Sequence, residues 1–318
     1  MKGRKFSKKV SVIISFAAFL LVFAALLFVA YPLQKKYGNI GLVITELMML
    51  VIAVLGCIVT GQKFSEMFPI KLPGLRSIFG AIIIWISMYI MSMAATAISG
   101  IFMPERFFAA GASLDGMSVA FKLFTVAFLA PVCEEAMHRG LITHFLKPIE
   151  RKWIIILVIG VQFGLLHYEP VKFLSTGIAG ACLAYVLLKS KNILLCVFIH
   201  FLTNLPASLV DSSSADFSEI TAVSAEAGMA FDIVMDASMQ RLSLLMTAGM
   251  FVLMCAAAPW LFYAGSVLLG NKGEPNPDNK KKLIACTVLS IAAAVVGFIL
   301  FVVGLVMLVM SIYSQIQI

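Results

Sequence analysis

Long apolar runs alternate along the chain with short polar breaks rich in lysine and arginine. A hydrocarbon core about 30 Å thick needs about 20 residues of helix to cross it. On that scale nine runs predict membrane-spanning helices, at 10–31, 40–60, 77–102, 119–147, 153–167, 171–189, 192–210, 243–269 and 283–313. The fourth is long and the fifth short. No run alternates strictly between apolar and polar positions as a barrel strand would, and lipid offers unpaired backbone no partner. The expected fold class is therefore all-α, a polytopic membrane helix bundle of about nine spans, with eight as the alternative. Its expected organisation is three N-terminal spans over 1–118, a core of about four helices over 119–210, an acidic loop over 211–242 and C-terminal spans over 243–318. The basic segment MKGRKFSKK precedes the first run as in a signal peptide. The run itself, about 22 residues, exceeds an ordinary signal-peptide apolar region and no A-x-A site follows, so a retained anchor is expected.

Composition sharpens this picture. With 61% hydrophobic and 13% charged residues and a mean hydropathy of +1.02, the chain is neither an ordinary soluble domain nor a disordered one. The net charge of +8 would suit nucleic acid, but the cations sit in the breaks between spans, as in loops facing an anionic leaflet. No nucleic-acid partner is expected. With the N-terminus inside, 17 of the 24 Lys and Arg fall on inner segments, six on outer ones, and Arg139 within a span. That bias predicts an N-in, C-out, multi-pass protein of the plasma membrane. The loop at 211–242 carries Asp211, Asp216, Glu219, Glu226, Asp232 and Asp236 and falls outside. The six cysteines all lie in apolar runs with no C-x-x-C spacing, as small buried hydrophobes do. No phosphate-binding glycine loop is present, which speaks against an NTP-driven machine.

Charge inside a bilayer is expensive, so intramembrane ionisable residues are functional candidates. Glu46 stands alone in the second span; the others cluster in the fourth, fifth and seventh. The fourth reads APVCEEAMHRG. Glu135 and Arg139, four apart, share a helix face and can neutralise each other, while Glu134 and His138 share the adjacent face. A structural ion pair accounts for Glu135 and Arg139, but one arginine does not compensate two adjacent carboxylates. The fifth span ends FGLLHYEP, with Phe163 and His167 one turn apart, and the seventh reads VFIHFLTN, with His200 and Asn204 one turn apart. Each histidine taken alone suits a hydrogen-bonded structural role. Together the groups supply a general base, water-positioning or metal-binding imidazoles, and an amide donor for an oxyanion. Neither H-E-x-x-H nor G-x-S-x-G occurs, so zincin and serine-protease chemistry lack their signatures.

Glu134-Glu135-x-x-x-Arg139, Phe163-x-x-x-His167 and His200-x-x-x-Asn204 resemble, in order and each in its own helix, the three motifs of the CPBP family. These are the CAAX-protease and bacteriocin-processing membrane proteins, also called Abi. The resemblance covers roughly residues 119–210, and the small-residue stretch STGIAGACLAY between the second and third motifs belongs to it. It implies a helical bundle with a cavity inside the membrane and an endopeptidase acting on hydrophobic, lipidated or leader-peptide substrates. Carried over motif by motif, Glu134 would activate water together with His167, and His200 and Asn204 would hold the oxyanion. Glu135 and Arg139 would keep the geometry, while His138 and His144 match no motif position and are expected to be structural.

The family is often labelled metalloprotease, and Glu134, His167 and His200 could form a three-ligand zinc site. A metal-free glutamate mechanism uses the same residues, and Asn204, a poor zinc ligand and a good oxyanion donor, leans toward it. Two other classes compete with the peptidase. One is a non-catalytic membrane scaffold that binds a partner protein. The other is a transporter with a proton relay, against which the lack of inverted repeats counts. His167, at the outer end of its span, is expected to lie too high for the other residues unless tilt or a different helix end lowers it.

Overall fold

The computed structural model describes residues 4–111, 116–209, 237–270 and 279–316. Among them there is no β-strand, and the architecture is the all-α bundle that the apolar runs predict. In chain order the helices are α1 (Lys8–Tyr37), α2 (Asn39–Val59), the short α3 (Phe64–Met67), α4 (Leu75–Phe102), α5 (Pro104–Gly111), α6 (119–146), α7 (Lys152–Leu165), α8 (Pro170–Ser190), α9 (Ile193–Leu209), α10 (Ala237–Met254), α11 (Ala258–Leu269) and α12 (Asn279–Ile316). Five of these, α1, α2, α4, α8 and α12, are individually long and apolar enough to cross a membrane, and the pair α10–α11 makes a sixth if counted as one span. α7 and α9 are shorter apolar helices. Of the acidic loop, 211–236 lies outside the described residues, and 237–242 is already the first part of α10.

The run at 243–269 is bent rather than straight: α10 and α11 meet at 44° across a three-residue break. Pro259, in the first turn of α11, has no N–H to continue the helical ladder through the break. The long fourth run is a single rod, but not a regular one. Residues 123–129 and 136–142 of α6 are π-helical, with α-turns before, between and after them.

α7 and α8 form a close antiparallel pair through small residues. A Cβ at Gly160 would lie 2.8 Å from the Gly177 carbonyl oxygen, and one at Gly180 would lie 2.6 Å from Phe163 Cβ. Small residues permit this approach where lipid supplies no hydrophobic drive between helices. α2 and α9 pack on α6, α1 packs on the second half of α6, and α4 packs on α8, α10 and α11. Ser15 of α1 donates to the Ile142 carbonyl at 3.0 Å, which ties those helices together at a buried point. The apolar core runs through Met49, Ala53, Met137, Ile155, Ile159, Leu183 and Ile199. Outward-facing residues are also apolar: Leu20, Phe28, Val59, Val288 and Met310 are more than half exposed, as expected of a surface whose solvent is lipid. All six cysteines are free, and the four at 57, 133, 182 and 196 are buried.

Candidate active site

The charged core of the bundle is built around Glu135. It is fully buried, and one oxygen, Oε1, accepts a hydrogen bond from His200 Nδ1 at 2.9 Å and lies 3.1 Å from Arg139 Nη1, an ion-pair distance. The i,i+4 spacing on α6 supplies the arginine, and α9 brings the histidine from across the bundle. Arg139, equally buried, donates from Nη2 to the Gly180 carbonyl of α8 at 3.0 Å and lies over the Phe163 ring at 4.8 Å. One ion pair thereby links four helices. A carboxylate only accepts, so His200 donates through Nδ1. Its other nitrogen, Nε2, faces Glu134 Oε2 at 4.0 Å.

Phe163 is the hub of this cluster. Its ring meets His138 at 4.9 Å, His167 at 5.0 Å and His200 at 5.8 Å, each edge-on, in addition to the guanidinium. The sequence marks Phe163 only as a motif position. The spatial reason for it is that one rigid aromatic face and its edges fix the orientation of four polar groups. Gly180 permits this, because its missing side chain is the space Phe163 occupies.

His167 reaches the cluster because α7 ends at Leu165, before it. The chain turns there, and His167 Nδ1 donates back to the Phe163 carbonyl at 2.9 Å. That bond satisfies a carbonyl left open at the helix end and leaves the lone pair on Nε2. Tyr168 follows with a left-handed backbone (φ 51°), and its hydroxyl donates to the Phe23 carbonyl of α1. The helix thus ends two residues before 167, the end of the apolar run.

Asn204 is held by an irregularity in α6. Within the π-turn the Ala130 N–H bonds the Thr125 carbonyl. The next donor in line for Val126 would be residue 131, a proline, which has none. Asn204 Nδ2 fills that vacancy, donating to the Val126 carbonyl at 2.9 Å, and its amide carries a second N–H besides.

A cavity of about 290 Å³ opens beside the cluster between α1, α2, α6 and the end of α7. Glu134, His138 and His167 line it, together with Glu46, Gln34 and Thr45. Glu46 is 5% exposed, and its Oε2 has no hydrogen-bond partner among the described residues. His138, read as structural, lines the same cavity, and its Nδ1 is likewise unpaired among the described residues. His144 stands apart, near Gln62 Oε1 (3.0 Å) and the Glu66 carbonyl (3.2 Å). Its solitude in an apolar span already marked Glu46 as a candidate, and the structure sets it on the same cavity as Glu134. A buried carboxyl with no partner costs stability. Glu46→Met is accordingly expected to raise stability by about 1–3 kcal/mol while lowering activity, measured by thermal unfolding and turnover of the same detergent preparation.

Zinc does not fit the donors as they stand. Among the described residues no group of three His, Cys, Asp or Glu is gathered closely enough to hold a metal ion. His200 commits Nδ1 to Glu135, and its Nε2 is 4.0 Å from Glu134.

The fold and this cluster define an integral membrane protein with a glutamate, histidine and amide constellation enclosed among its helices. Residues 116–206 match the family model of the type II CAAX prenyl endopeptidase Rce1-like proteins, a likeness consistent with the CPBP family of intramembrane proteases. No curated protein and no solved structure matches the chain. The family supports an intramembrane endopeptidase.

Proposed function

We propose that the chain cleaves peptide bonds of hydrophobic, lipidated or leader-peptide substrates with a water activated by Glu134. The observation that carries the reading is the shared wall of Glu134 and His167 on one cavity, with the second nitrogen of His200 facing Glu134. His167 Nε2 accepts a hydrogen bond from the water and orients it. Glu134 takes one proton as the water oxygen bonds to the peptide carbonyl carbon. His200, held through Nδ1 by Glu135, and the second N–H of Asn204 receive the oxyanion that develops. For this His200 carries a proton on Nε2 as well. Collapse of the tetrahedral intermediate breaks the C–N bond, and the leaving amine takes the proton from Glu134.

Glu135 and Arg139 touch no substrate in this scheme and act by positioning His200 and α8. The cavity is near the small end of ligand sites, which suits a scissile bond with its neighbouring side chains. The apolar surroundings suit substrates that reach the site from the bilayer. The proposed arrangement in the plasma membrane is N-in with nine spans, the shorter helices α7 and α9 and the rod α6 included, and it rests on the distribution of lysine and arginine.

The substrate class is tested by incubating purified protein with a prenylated CAAX peptide, its unprenylated twin and an unrelated hydrophobic leader peptide, with products read by mass spectrometry and zinc measured on the same samples. Cleavage that depends on prenylation assigns CAAX-type processing, and preference for the leader peptide assigns peptide maturation. Folded protein that cleaves none of them contradicts the reading and favours a scaffold that binds a partner.

A further inference from the structure

A second cavity, of about 680 Å³, lies between α4, α8, α11 and α12, away from the catalytic cluster. We propose that it binds an anionic phospholipid, with the phosphate against Arg76, Lys189 and Lys282 and an acyl chain along the apolar wall. This does not depend on the peptidase reading.

The cationic end is assembled from three helices. Arg76 donates from Nη1 to the Gly270 carbonyl at 3.0 Å and from Nη2 to the Val267 carbonyl at 2.9 Å, which fixes its guanidinium at the end of α11. A Cβ at Gly270 would lie 3.4 Å from Lys189 Nζ, so the ammonium converges on the same point. Lys282, in the first turns of α12, also lines the cavity. The guanidinium has five donors, of which two serve these carbonyls, so it retains the fork that recognises phosphate oxygens. Away from the cations the wall is Met91, Cys182, Phe262 and Leu289. α12, which closes this side, is itself largely exposed and apolar, so the cavity borders the lipid.

A soluble phosphate would use the cations and leave the apolar wall uncovered, whereas a phospholipid covers both. All three cations lie on segments that the charge bias assigns to the inner face, where anionic lipids are concentrated, and basic pockets between helices on that face are suited to their headgroups.

The test is native mass spectrometry of the full chain in detergent, titrated with phosphatidylglycerol or phosphatidylcholine of equal chain length, with glycerol phosphate as the soluble competitor. The wild type is expected to retain one phosphatidylglycerol with about tenfold or greater preference over phosphatidylcholine. Lys189→Gln with Lys282→Gln should erase the preference. Ala285→Trp, which fills the cavity and leaves the charges in place, should prevent retention of either lipid. Arg76 is left intact because its bonds also hold α11. Each variant is compared with the wild type for its unfolding midpoint without lipid. If the tryptophan variant fails to fold, the lysine pair decides. Equal retention of both lipids by the wild type, or an unchanged preference in the lysine variant, overturns the proposal. Displacement by glycerol phosphate at the same concentration as by phosphatidylglycerol also overturns it, and reduces the site to one for phosphate.

Discussion

Arg139→Met is expected to lower stability by about 3–5 kcal/mol and to abolish cleavage, because it leaves the Glu135 carboxylate buried without its cation. Both side chains are fully buried, and the guanidinium also holds the Gly180 carbonyl and faces Phe163. The double variant Glu135→Gln/Arg139→Met removes both charges together. It should recover much of the lost stability, since a buried ion pair is worth little against neutral groups of similar volume. Activity should stay low, because His200 loses the carboxylate that sets its ring through Nδ1. Unfolding in detergent and turnover on one preparation separate the two effects. A double variant as unstable as the single one would show that the stability resides in the Arg139 contacts to α8 rather than in charge balance.

Phe163→Ala should cost a similar amount, about 3–5 kcal/mol, as large aromatic-to-alanine truncations in packed cores do. Its ring is 3% exposed and wedged against Gly180. The more telling variant is Phe163→Leu. Leucine refills most of the volume, so the stability loss should be smaller. It cannot reproduce the ring contacts to Arg139, His138, His167 and His200. With cation–π contacts of this kind worth about 1–2 kcal/mol, turnover should fall by about tenfold in protein whose unfolding midpoint is little changed. Turnover that simply tracks stability across the two variants would reduce Phe163 to packing.

How much of this was legible in the sequence depends on how local each feature is. The Glu135–Arg139 pair was readable because four residues bring side chains to one helix face whatever surrounds the helix. The all-α fold followed from run length against bilayer thickness. The π-turns of α6 were not readable, because they are set by what packs around the rod. The Asn204 bond to Val126 depends on such a turn together with Pro131, so the amide appeared in sequence only as an oxyanion candidate. The position of His167 hinged on a helix end two residues earlier than the apolar run suggested. Glu46 reaches the cavity through the packing of α2 on α6, and no spacing within either segment encodes that contact. His138 shared a face with Glu134 in the sequence, and the structure places both on one cavity. The motif pattern alone had set it aside.

The proposed role of Glu134 in activating the attacking water is tested most directly by comparing wild type with Glu134→Gln on a single cleaved peptide in ¹⁸O-labelled water. The amide keeps the size of the side chain and removes its basicity. Turnover should therefore fall by about 10²–10⁴-fold, the range attributable to a general base. Wild-type product should carry one heavy oxygen in its new carboxyl group, while the unfolding midpoints of the two proteins stay close. Equal cleavage by both forms would remove Glu134 from the chemistry.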